Sequence, residues 1–155
     1  MADIHIEEFY KDVAIALVQL YGAFPRRVNL FVEDIAGPDE PDEFGLHSRR
    51  HMACFGALLW LAEEGLLRYV DTIRQEALDQ AVLTQAAFIR LSTPAPETLV
   101  SEVAPQALAS AAKAPPSVRA DYSSHIHLFR EALRSGSSDR ITQVVQTTFF
   151  VPPEA

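Results

Sequence analysis

Apolar residues recur at three- and four-residue steps from His5 to Tyr21, where Ile6, Phe9, Tyr10, Val13, Leu17, Leu20 and Tyr21 share one face of a helix. Glu7, Glu8, Lys11 and Asp12 cluster near its start, and acids there suit the helix dipole. Gly22 and Pro25 close the pattern. Asn29 is a good cap for a short helix from Leu30 to Ala36, ended by Gly37 and Pro38. The stretch from Gly37 to Gly45 is a turn-rich surface loop with four acids, Asp39, Glu40, Asp42 and Glu43, around Pro41.

The pattern is most sustained from Leu46 to Glu64, a proline-free stretch in which Met52, Phe55, Leu58, Leu59 and Ala62 keep helical spacing. Its beginning is polar and basic, and its later part is almost wholly apolar through Trp60 and Leu61. After Gly65 the period changes. Tyr69, Val70 and Ile73 predict a strand over Leu66 to Ile73, Arg74 to Gln80 a turn, and Ala81 to Thr84 a return strand. Thr84 then caps a helix from Gln85 to about Leu91, which stops before Pro94. The remainder reads as helices broken by proline: Glu97 to Lys113 with a break at Pro105, Val118 to Arg134, and Asp139 to Phe150.

Composition adds a constraint. Of 155 residues, 48% are hydrophobic and 22% charged, enough apolar material for a real core. The apolar runs, such as Val13 to Leu20 and Ala53 to Ala62, fall short of a bilayer span, and no signal-peptide pattern is present. With one cysteine, Cys54, no internal disulfide can form, so the expected setting is cytoplasmic. The net charge of −8 excludes a general nucleic-acid binder, because such affinity rests on cations that displace counterions from phosphate. Any DNA contact would need a local basic patch.

The order helix, short helix, loop, longer helix, strand, turn, strand resembles a winged helix-turn-helix over residues 5–93. Leu61-Ala-Glu-Glu-Gly-Leu-Leu-Arg68 is similar to the end of the third helix in winged-helix regulators, where a leucine packs inward, acids face water and a glycine turns the chain into the wing. Ala81-Val-Leu-Thr-Gln-Ala-Ala-Phe-Ile-Arg-Leu91 resembles the strand and helix that follow. A glycine common in that family shortly after the threonine is replaced by Ala86 and Ala87. The resemblance implies a mainly α fold with a small two- or three-stranded β-wing, followed by a helical C-terminal segment over residues 96–150.

It also implies a reading surface. In such folds the start of the third helix enters the DNA major groove. Here that stretch is His47, Ser48, Arg49, Arg50 and His51, with Arg26 and Arg27 as phosphate contacts and Arg74 near the wing. Two readings stay open. In the first, the chain is a DNA-binding transcription regulator acting as a homodimer on double-stranded DNA. Ile126, Phe129, Leu133, Val144, Val145 and Phe149 would then form the dimer contact, being more apolar surface than a small winged helix needs. In the second, Arg49 and Arg50 pair with the acidic loop at 39–43, and the scaffold binds another protein without touching DNA.

No enzyme constellation is present: there is no phosphate loop, nucleophile elbow or His-Glu-x-x-His, and no cofactor is expected. His125 and His127 are two apart on a helix and point in different directions, so metal binding there is not expected. Cys54 sits among apolar residues and reads as a small buried hydrophobe.

Overall fold

The computed structural model describes residues 3–106, 115–117 and 122–150. Its elements are α1 (Ile4–Ala23), β1 (Val28–Phe31), α2 (Glu33–Ala36), α3 (Arg49–Glu63), β2 (Leu67–Arg68), β3 (Asp71–Ile73), β4 (Ala77–Leu83), α4 (Gln85–Ser92), α5 (Glu97–Val103), α6 (His125–Ser135) and α7 (Ser138–Phe149). The protein is thus mainly helical with a small antiparallel sheet. The chain divides into two compact units, Met1–Ala87 and Phe88–Ala155, with the division inside α4. No described helix is long and apolar enough to cross a membrane.

In the first unit α3 packs on α1, and α1 also covers β4. Val13, Leu17 and Leu20 of α1 meet a core that includes Leu30, Leu58, Leu61, Leu67, Leu78 and Leu83, all essentially without solvent contact. Phe9 stands edge-on to Trp60, with ring centroids 5.4 Å apart, and ties the first half of α1 to the end of α3. The apolar face of α1 starts later than its sequence suggests: Ile6 is largely exposed, whereas Asp12 is fully buried.

The sheet corrects two sequence expectations. Leu30 does not begin a helix capped by Asn29. Val28–Phe31 forms a strand, and the helix that follows is a single turn, Glu33–Ala36. The strand wins because Leu30 can be buried against Leu78, its register partner, while its neighbours Asn29 and Phe31 stay exposed. Asn29 instead serves the sheet. A register irregularity falls between Val28 and Leu30, opposite Gln80, whose backbone is left-handed at φ 53°. The Gln80 N–H donates to Asn29 Oδ1 at 3.3 Å, which satisfies a donor that the irregular ladder leaves over.

The second correction concerns the hairpin. The turn is shorter than Arg74 to Gln80, because β4 already begins at Ala77, and β4 is the central strand. It pairs with β1 on one side and with β2 and then β3 on the other. Gly65 makes the expected left-handed turn, φ 76°, between α3 and β2. Thr84 caps α4 as expected, accepting from Ala87 N–H at 3.3 Å while its hydroxyl donates to the Gly65 carbonyl at 2.7 Å.

In the second unit α6 and α7 pack against each other and α5 packs on both. Ser124 and Ser137 cap α6 and α7 by accepting from the N–H groups of His127 and Arg140. The helix expected from Glu97 ends at Val103, before Pro105, and its expected continuation over 107–113 lies outside the described residues, as do positions 118–121. Ile126, Phe129, Val144 and Val145 are buried within this one chain, and Phe149 sets its ring edge against Phe129. Leu133 is partly covered. The apolar surplus that motivated a homodimer is therefore mostly consumed inside the unit.

Candidate functional site at the start of the third helix

The first turn of α3 is where the candidate reading residues meet the rest of the first unit. Ser48 is the N-cap, its hydroxyl accepting from His51 N–H at 3.2 Å. The cap sets the helix phase, so Arg50 and His51 turn toward the protein and Arg49 toward solvent.

Arg50 is bound inward. Its Nη1 and Nη2 donate to the two carboxylate oxygens of Asp12 at 2.7 and 2.6 Å, and its Nε lies 2.7 Å from Glu8 Oε2. This fork geometry uses three of the five donors of the guanidinium. Asp12 side chain is only 1% exposed, so Arg50 is what makes that burial tolerable. The partner of Arg50 is thus α1 and not the acidic loop, contrary to the pairing weighed from the sequence.

The acidic loop pairs with histidine instead. Asp39 Oδ2 lies 2.9 Å from His47 Nδ1, accepts from Ser48 N–H at 3.2 Å, and stands 3.8 Å from His51 Nδ1. Hydrogen bonding from Ser48, with a smaller contribution from His47, holds the Asp39 carboxyl down at about 2. The two imidazoles are stacked, with centroids 3.9 Å apart and planes within 8° of parallel. His51 is buried, and its Nε2 lies 2.7 Å from the Gln75 carbonyl in the β3–β4 turn. Asp39, His47 and His51 each bring one ligand-type atom into a group whose members lie within 4.8 Å of one another.

Asp42 organises the rest of the loop. Its Oδ1 accepts from both Phe44 N–H and Leu46 N–H at 2.9 Å, and its own N–H donates to the Leu46 carbonyl. The closed turn presents Phe44 and Leu46 outward, 78% and 63% exposed, beside Glu40 and Glu43. The remaining candidates are dispersed. Arg26, Arg27, Arg49 and Arg74 are all exposed. Val28 pairs with Ala81 and Phe31 with Ala77, so Arg26 and Arg27 lie at the end of the sheet opposite the turn that carries Arg74. Four residues of strand separate those ends by roughly 13 Å. The hairpin itself is acidic: Asp71 sits directly opposite Asp79 in the register, with Glu76 in the turn.

Cys54, one helical turn after Arg50, is fully buried. Burial first, and the Asp12 charge second, push its thiol up to about 12. In the second unit, His125 Nδ1 donates to the Thr93 carbonyl at 2.9 Å, while His127 faces Glu131 and stands edge-on to Tyr122. Burial holds both of these histidines below their ordinary value.

Sequence reasoning missed the convergence of Asp39, His47 and His51. The signal was there: the two histidines are four residues apart, a spacing used by metal ligands, and Asp39 precedes the first by eight. No family model, curated protein or solved structure matches this chain.

Proposed function

We propose that the first unit is a winged helix that works as a protein-interaction module, with the acidic loop between α2 and α3 as its contact surface. The order of helices and strands, and a central β4 flanked by β1 and by β2 with β3, support the winged-helix reading. The observation that carries the function is the inward commitment of α3's first turn. Arg50 is held by Asp12 and Glu8, His51 is buried against Gln75, and His47 is tied to Asp39. With Ser48 spent as the helix cap, four of the five residues that would read bases are already bonded within the protein.

Electrostatics argues the same way. A wing bearing Asp71, Asp79 and Glu76 repels the phosphates it would have to approach. What the unit does offer outward is Phe44 and Leu46 on an Asp42-closed turn, flanked by Glu40 and Glu43. Apolar anchors rimmed by acids suit a cationic protein surface with a small apolar pocket. DNA reading by a homodimer is the competing account, and its support is that Arg49 and Arg74 are both exposed near the His51–Gln75 contact.

The test is site-specific photo-crosslinking in the native cell from position 44. The proposal expects one discrete protein adduct, lost on Glu40→Lys/Glu43→Lys, which leaves the turn-forming Asp42 intact. Adducts to nucleic acid, or no protein adduct at all, would overturn it.

A further inference from the structure

We infer that Asp39, His47 and His51 form a binding site for a divalent transition-metal ion, with zinc as the best-suited member of that class. The inference is independent of the interaction reading above.

It begins with the proton inventory of His51. Its Nε2 lies 2.7 Å from the Gln75 carbonyl, which can only accept, so Nε2 carries the hydrogen. With that hydrogen on Nε2, the metal-binding form of the ring offers its lone pair at Nδ1. That atom is buried, has no hydrogen-bond partner among the described residues, and faces Asp39 Oδ2 at 3.8 Å. At 3.8 Å the two atoms are too far apart for a hydrogen bond, so a buried nitrogen and a carboxylate oxygen face each other unjoined. A cation placed between them would give both a partner.

The donor set suits that ion. Two imidazoles and one carboxylate are the ligands of borderline divalent metals, and they supply one negative charge against two positive. In a tetrahedral zinc site with bonds of about 2.1 Å, neighbouring ligand atoms lie ~3.4 Å apart. The separations of 2.9 Å for His47–Asp39 and 3.8 Å for His51–Asp39 fall on either side of that value. The side chains of His51, Asp39 and His47 are 1%, 10% and 13% exposed, so the ion would sit in a nearly dry site where its charge counts most.

One outer partner is also in place. Ligating imidazoles usually donate their other N–H to a carbonyl or carboxylate, which fixes tautomer and ring orientation. His51 already does so to Gln75, whereas Glu76 Oε1, 3.9 Å from His47 Nε2, is beyond hydrogen-bond reach and would have to close on it. His47 is the adjustable member: it precedes the helix cap, and its ring must turn out of the stack and release its Nδ1 proton from Asp39 for its lone pair to converge. A bound ion would join the acidic loop, the start of α3 and the hairpin turn through one centre.

The full chain, stripped of metal by chelation, is titrated with cobalt(II) while visible absorption is followed, and zinc is then added in competition. The site predicts one cobalt per chain with ligand-field bands, displaced by one equivalent of zinc, and a zinc-dependent rise in the thermal midpoint. His47→Ala and Asp39→Asn should each weaken binding at least about tenfold and abolish the thermal shift, whereas Arg49→Ala should change neither. Circular dichroism confirms that the variants are folded, and Asp39→Asn serves if His47→Ala is not. Absence of saturable one-to-one binding, or binding that both ligand variants leave intact, overturns the inference.

Discussion

Replacing Arg50 by alanine removes the one cation bound to Asp12 among the described residues, a carboxylate whose side chain is 1% exposed. Breaking one side of a buried ion pair costs about 3–5 kcal/mol, because the remaining charge stays desolvated. Arg50 itself is a third exposed, so its removal lets some water reach the site, and the lower end, about 3 kcal/mol, applies. Against a whole-domain stability of roughly 5–15 kcal/mol this is a large loss. The single tryptophan, Trp60, lies in α3 and packs on Phe9, so its fluorescence during urea unfolding reports the first unit. The expected result is a fall of about 3 kcal/mol in unfolding free energy for Arg50→Ala. Asp12→Asn/Arg50→Met should lose much less, since neither residue then leaves a bare charge. A loss under about 0.5 kcal/mol, the scale of an exposed pair, would show that Arg50 is free for an outside ligand and would refute the inward reading of α3.

Three further outcomes follow from the same geometry. Cys54, buried and pushed up to about 12, should resist alkylation at pH 8 in the native protein and react fully after unfolding; rapid native labelling would contradict its placement. Asp39 is held at about 2, below its ordinary 3.8, so it adds stability that is fully present above that ordinary value and is lost as pH falls through the folded one. Acid-unfolding curves should therefore steepen between about pH 4 and pH 2 in the wild type relative to Asp39→Asn. Gln80 holds a left-handed backbone at φ 53° with an exposed side chain, so Gln80→Gly should raise stability by about 1 kcal/mol, measured by urea denaturation; a loss would mean that the side chain contributes more than the strain costs.

Much of the architecture was legible because it rests on local rules. The apolar stripe through Val13, Leu17 and Leu20, the Gly65 turn and the Thr84 cap each depend on a few neighbouring residues. What failed depended on distant partners. Asn29 has the side chain of a helix cap, yet Leu30 is drawn into a strand by Leu78, and Asn29 is left to satisfy Gln80 instead. Asp12 looked like one more solvated acid at the start of a helix, and only the arrival of Arg50 from 38 positions away makes it a buried ion-pair member. The six candidate dimer residues were correctly read as apolar, but the helix hairpin of α6 and α7 consumes most of that surface within one chain. At the site, the sequence located the polar start of α3 but not its direction. Arg49 and Arg50 are adjacent and chemically alike, and the helix phase set by Ser48 sends one to solvent and the other into the protein.

The start of α3 is bonded inward through His47, Arg50 and His51, and the proposed function expects it not to read DNA. Fluorescence anisotropy of labelled mixed-sequence duplexes, titrated with the full chain at about 50 mM salt and again at 200 mM, tests it most directly. No saturable binding is expected at either salt concentration. Tight binding at the lower salt that weakens steeply at the higher, and is lost in Arg49→Ala/Arg74→Ala, would contradict it.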